Sequence, residues 1–186
     1  DVLNLRRDRL MQMAERLRKE LDHIPELASV KDNIEITLTD DGLRIQLLED
    51  STGVFFETGR ATPSDRGRRI LGLLGRELGR LPNGVRIEGY TDARPYPGTS
   101  VYTNWELSSD RANMTRRILT DHGLTPGQIA QIRGFADREL RQGLGGSGHL
   151  GDELLLGHGG VEQKLHRRVF GRRPVFRIVQ HARVAR

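Results

Sequence analysis

Apolar residues recur at Leu3, Leu10, Ala14, Leu17 and Leu21, spaced by three, four and seven, with Arg, Lys and Glu between them. That period predicts an amphipathic helix over residues 3–22, ended by Pro25. Its exposed, mixed-charge side suits a connector or a dimer seam; the bland alternative is a helix that packs on its own domain. The period then changes to two. Ile34, Ile36 and Leu38 alternate, then Leu43, Ile45 and Leu47, with Asp41-Gly42 between them as a hairpin signal. Two antiparallel strands follow from this pattern.

"STGVFFETGRATPSDRG" reads as a loop carrying Val54, Phe55 and Phe56. Ser64 or Thr62 can cap a helix running to about Leu81, with Ile70, Leu71, Leu73, Leu74 and Leu78 on its buried side. Pro82-Asn83-Gly84 is a turn and "VRIEGY" a strand. Thr103 and Glu106 form a capping box that opens a helix to about His122, stopped by Gly123. "LTPGQI" is a capped turn and "IAQIRGF" a strand. This order predicts an α/β fold: a two-layer sandwich, a mixed sheet with helices on one face, preceded by the amphipathic helix.

The chain of 186 residues is long enough for one core of ordinary size plus appendages. It holds no cysteine, which excludes disulfide scaffolds, thiolate metal sites and a cysteine nucleophile. No apolar run is long enough to span a membrane, and no signal peptide is visible. The chain begins at Asp1 rather than Met, which reads as a processed product or a piece of a longer protein. The net charge of +5 is unevenly spread: residues 1–140 hold 21 Lys+Arg against 22 Asp+Glu, residues 141–186 hold 9 against 3. The basicity belongs to the tail, whereas a nucleic-acid-binding fold more often spreads it. The domains read as a connector helix at 1–30, a core at 31–140 and a Gly/Arg-rich tail at 141–186 with 174–180 as a candidate last strand.

Candidate chemistry gathers where strand 85–90 meets helix 104–122. On a helical wheel Leu107, Met114 and Ile118 form one apolar line, and Trp105, Ala112 and Leu119 another, with Trp105 read as packing. Asn104, Ser108, Arg111 and Thr115 lie between them. A guanidinium framed by apolar neighbours needs partners, and Asp92 closes the strand just before the helix. Two readings stand: an internal Asp92–Arg111 bridge, or a receptor for a zwitterion, with Asp92 facing an ammonium and Arg111 a carboxylate. The long Pro-, Gly- and Tyr-bearing loop "ARPYPGTSVYT" favours the second. The histidine spacing fits no zinc motif, no Gly-rich phosphate loop opens a helix, and no nucleophile–base–acid set appears; neither enzyme, metal nor cofactor is expected.

"IEGYTDARPY…YTNWELSSDRANMTRRIL…GL…IRGFAD" resembles the OmpA-like peptidoglycan-binding domains. Within them it is most similar to the periplasmic regions of the MotB branch, stator subunits that anchor the bacterial flagellar motor to the wall; "DDGLRIQLLED" and "FFETGRA" match as well. The resemblance implies non-covalent binding of the peptidoglycan stem peptide. Asp92 would receive the diaminopimelate amine, Arg111 would grip its carboxylate, and Thr91, Asn104 and Leu107 would line the pocket. Arg116 and Gly134 match further positions linked to wall binding or motility. It further implies a homodimer, a periplasmic domain of an inner-membrane-anchored protein, and a MotA-like channel subunit met through a membrane segment not in this chain. One departure stands out. The family's N-R-R motif before the final strand is absent, with "HRR" at 166–168 and "GRR" at 171–173 its nearest approximations. The competing readings are a generic OmpA- or Pal-like envelope anchor, a structural domain whose Asp92–Arg111 bridge closes the loop, and polyanion or nucleic-acid binding by the tail.

Overall fold

The computed structural model describes residues 2–49, 53–92, 101–138 and 173–181. The loop 93–100 and the Gly-rich stretch 141–165, with the two N-R-R approximations up to Arg172, lie outside the described residues.

Helix α1 (Val2–Asp22) buries Leu10, Met13, Ala14, Leu17 and Leu21. These join a core cluster with residues of the strands and of the next helix, so α1 packs on the sheet. A short 3-10 segment, Pro25–Asn33, leads into β1 (Ile34–Thr39), which pairs antiparallel with β2 (Gly42–Glu49). The register differs from the predicted hairpin by one residue. Thr39 pairs with Gly42, so Asp40-Asp41 make the turn and Gly42 already belongs to β2. Gly42 takes φ 130°, a conformation that side chains resist, and this is why glycine stands at that corner.

Helix α2 (Asp65–Gly79) is capped by Ser64, whose Oγ accepts from Gly67 N–H at 2.9 Å and donates to Val54 O at 2.5 Å. The cap therefore also fixes the preceding loop. Strand β3 (Gly84–Gly89), α3 (Asn104–Asp121), β4 (Ile129–Gly134) and β5 (Arg173–His181) complete the described elements. Gln128, buried after α3, donates through Nε2 to Leu81 O at 2.6 Å and so holds the end of α2.

The strand order is β1-β2-β5-β3-β4. The β3–β4 pair is parallel and the other pairs are antiparallel. The last strand in sequence is thus the middle strand in space. Leu43, Ile45 and Leu47 of β2, Ile178 of β5 and Val85 and Ile87 of β3 point to one face and are fully buried beneath the helices. The opposite face is polar, as period-two alternation requires. One row crosses all five strands there: Glu35, Gln46, Arg177, Glu88 and Arg133 stand side by side in register. Gln46 donates to Glu35, while Arg177 donates to Gln46 at 3.0 Å and to Glu88 at 3.3 Å. Glu88 is buried and is also paired with Arg86 at 2.8 Å and with the Tyr90 hydroxyl at 2.9 Å. Arg177 thereby ties β5 to both neighbours.

Candidate ligand site at the carboxyl ends of the strands

Helix α3 lies unusually close to the sheet because two strand ends are glycine. A Cβ on Gly89 would stand 2.0 Å from Ser108 O, and one on Gly134 would stand 2.3 Å from Ser109 Oγ. The contact is locked by hydrogen bonds. Ala136 N–H donates to Ser108 Oγ at 3.0 Å, and Thr91 N–H donates to Ala136 O at 2.8 Å. Thr91 and Asp92 are therefore held at the foot of α3. The helix begins with the predicted capping box: Thr103 N–H donates to Glu106, and Trp105 N–H to Thr103 Oγ1. Asn104, in its first turn, donates from Nδ2 to Asp92 O at 3.3 Å.

Two turns further on, Arg111 is buried at 7% exposure. Its Nε donates to Arg60 O at 3.0 Å and its Nη1 to Tyr90 O at 3.4 Å. The guanidinium carbon lies 5.3 Å from the centre of the Phe56 ring. These partners orient the cation without neutralising it, because carbonyls and a ring carry no net charge. Among the described residues Nη2 makes no hydrogen bond, which leaves donors for a carboxylate in the bidentate geometry guanidinium favours. Burial lowers the Arg111 pKa, opposed by the negative charges of Glu49 and Asp92 and by Tyr102. Arginine nevertheless stays protonated. The Asp92 side is exposed, so the arrangement is a fixed cation below and a carboxylate at the mouth. Thr91 is buried at 3%, and its Oγ1 lacks a hydrogen-bond partner among the described residues.

The predicted residues separate into groups. Thr91, Asp92, Asn104 and Arg111 gather at this mouth, and buried Leu107 sits one turn before Arg111. Gly134 acts through its missing side chain, by letting α3 approach β4. Arg116 falls about 140° round α3 from Arg111 and so faces elsewhere. Trp105 departs from the predicted apolar line: it is 45% exposed, with the Arg138 guanidinium 5.3 Å over its ring. The buried side of α3 runs instead through Leu107, Ser108, Arg111, Ala112, Thr115, Ile118 and Leu119.

Glu49 was not singled out by the sequence reading. Its carboxylate accepts from the N–H groups of Phe55 at 3.2 Å and Phe56 at 3.1 Å, which shapes the loop that brings Phe56 and Arg60 O to Arg111. Alternation from Leu43 through Leu47 puts Glu49 on the core face, the one signal that could have found it. Burial pushes its carboxyl above the usual range, against the N–H groups of Phe56, Phe55 and Val54 and the charge of Arg111. A carboxyl with a raised folded pKa binds its proton more readily folded than unfolded. It therefore destabilises at neutral pH, and that penalty is relieved as pH falls through the folded value. We expect the urea midpoint of the wild type to rise relative to Glu49→Gln as pH drops from about 7 toward the ordinary glutamate range. A constant difference across that window would show that Glu49 keeps an ordinary pKa.

A mixed sheet with its helices on one face defines a two-layer α/β domain, with a candidate ligand site at its strand ends. Residues 55–143 match the OmpA family. Over 126 residues it is 37% identical to Motility protein B of Escherichia coli (strain K12), covering 65% of this chain and 41% of that protein. The chain thus spans about two fifths of the length of that relative. Its fold matches a MotB-like protein from Desulfovibrio vulgaris with a TM-score of 0.65 at 16% identity, over 98% of this chain and 100% of that one. It also matches the cell wall anchor of the T6SS from Pseudomonas aeruginosa with a TM-score of 0.54 at 18% identity, over 81% and 89% of the two chains. Among the described residues, no helix is long and apolar enough to cross a membrane.

Proposed function

We propose that this chain binds peptidoglycan non-covalently and anchors a flagellar motor stator to the cell wall. The observation that carries the proposal is the oriented, buried Arg111 beneath the exposed Asp92. A group bearing an ammonium and a carboxylate on one carbon matches both ends of that site, and the diaminopimelate side chain of the stem peptide is such a group. The amide of Asn104, bonded to Asp92 O, lies at the same mouth. The likeness to Motility protein B supports the stator role, and the fold shared with a cell wall anchor agrees with wall binding. On this reading the domain works in the periplasm as a binding module without catalysis. The whole protein pairs as a homodimer and meets a MotA-like channel subunit through its membrane segment, and α1 leads toward that segment.

The test is co-sedimentation with purified peptidoglycan sacculi. Asp92 is exposed, so Asp92→Asn should leave the unfolding curve unchanged while weakening binding by about tenfold or more. Undiminished binding by Asp92→Asn would move the contact away from this mouth, to the basic tail if it then falls steeply with salt.

A further inference from the structure

Two carboxylates act on the charge of Arg111, and half-buried Glu49 acts more strongly than exposed Asp92. Glu49 closes β2. Its carboxylate accepts from Phe55 N–H through both oxygens at 3.2 Å and from Phe56 N–H at 3.1 Å. The Phe56 ring centre in turn lies 5.3 Å from the guanidinium carbon of Arg111. The same connection supplies Arg60 O, which accepts from Arg111 Nε at 3.0 Å. Glu49 therefore fixes the wall against which Arg111 rests, and among the described residues no ion pair joins the two directly. The other charged groups around them are few. Arg173 stands opposite Glu49 in the β2–β5 register, Asp92 and Tyr102 act on Arg111, and exposed Arg60 pairs with Glu57 at 3.8 Å.

We infer that Glu49 is a positioning residue whose charge competes with the ligand carboxylate for Arg111, so that ligand binding is coupled to uptake of a proton by Glu49. This rests on the peptidoglycan reading and deepens it, by naming what sets the strength and pH dependence of the grip. A carboxylate arriving at Nη2 of Arg111 shares the cation with Glu49 and brings a second negative charge near it. Burial already pushes the Glu49 carboxyl up, against the N–H groups of Phe56, Phe55 and Val54 and the charge of Arg111. Sharing that charge weakens the opposing contribution, so the carboxyl rises further when ligand is bound. By linkage the proton and the ligand then favour each other. Well above the raised value Glu49 is ionised with or without ligand, and the coupling is silent. Affinity rises as pH falls through that value, by at most about tenfold for each unit the carboxyl rises on binding.

The experiment titrates the intact chain by calorimetry with an N-acetylated tripeptide ending in diaminopimelate, between about pH 7.5 and about pH 5. Wild-type affinity should rise about three- to tenfold across that window. Heats in buffers of different ionisation enthalpy should show a fraction of a proton taken up per ligand. Glu49→Gln should bind at neutral pH as tightly as wild type does at the acid end, with a flatter profile and less uptake; the histidines and Asp92 are common to both proteins and cancel in the comparison. Glu49→Asp, which keeps the charge, should keep the slope. Carbon NMR of the glutamate-labelled wild type reads the same coupling without a variant: the Glu49 carboxyl should titrate at higher pH with tripeptide than without. Equal slopes in wild type and Glu49→Gln, or a Glu49 titration that the tripeptide leaves in place, would overturn the coupling. Glu49 would then only shape the loop, and the peptide site would stand. Failure of folded wild type to bind at any pH would overturn the peptidoglycan reading and the coupling with it.

Discussion

Arg111→Ala is expected to abolish capture of sacculi and also to destabilise the fold by about 3 kcal/mol, whereas Asp92→Asn should do only the first. The difference follows from burial. Truncating Arg111 strips a partner from the carbonyls of Arg60 and Tyr90, uncovers the Phe56 ring and removes the positive charge nearest to half-buried Glu49. The Glu49 carboxyl, already raised by desolvation, would then rise further. A destabilisation of that size should lower the melting temperature by roughly 10 °C for a domain of this length. Arg111→Lys should recover part of the stability but little of the binding, because an ammonium cannot present the paired donors of a guanidinium. Urea melts and sedimentation on the same preparations decide the matter. Equal stability loss in Asp92→Asn and Arg111→Ala would make the two residues a structural bridge, the alternative that the sequence left open.

Local chemistry was legible in the sequence, and long-range placement was not. Period-two alternation located β1 and β2, and Ser64 and the Thr103–Glu106 box marked the starts of α2 and α3, because each signal lies within a few residues of its effect. The polar row Ser108, Arg111 and Thr115 between apolar neighbours predicted a buried guanidinium, and all three are buried. Trp105 shows the limit of the wheel: it lies in line with Ala112 and Leu119, which are fully buried, yet stays half exposed. The hairpin corner moved by one residue because the strand ladder, not the Asp-Gly pair, fixed the register. Glu49 escaped notice because its partners are loop N–H groups and an arginine far along the chain. The family pattern supplied the roles proposed for Asp92 and Arg111, which periodicity alone could not have suggested.

The largest effect is expected from a chain ending at residue 172, which should lose cooperative folding altogether. The sequence set residues 141–186 apart as a Gly/Arg-rich tail with 174–180 as a candidate last strand, and β5 is the middle strand of the sheet. It pairs along its length with β2 on one side and β3 on the other, and it buries Ile178 against the core. Without it the sheet separates into a β1–β2 hairpin and a β3–β4 pair that share no ladder, and an isolated pair of strands is marginal in water. The Arg177 bonds to Gln46 and Glu88 disappear together, leaving Glu88 with less charge compensation. The candidate ligand site spans the same seam. Arg111 and Asp92 come from the β3–α3 side, while Phe56 and Arg60 O come from the connection that follows β2. The middle strand therefore holds the two halves of the site at their working distance as well as closing the core. Arg177→Met, which keeps the strand and removes only the polar link, should be far milder and retain a single sigmoidal melt. A chain ending at 172 that still unfolds cooperatively, with a native-like circular dichroism spectrum, would refute the central placement of β5 and reopen the tail as a dispensable appendage.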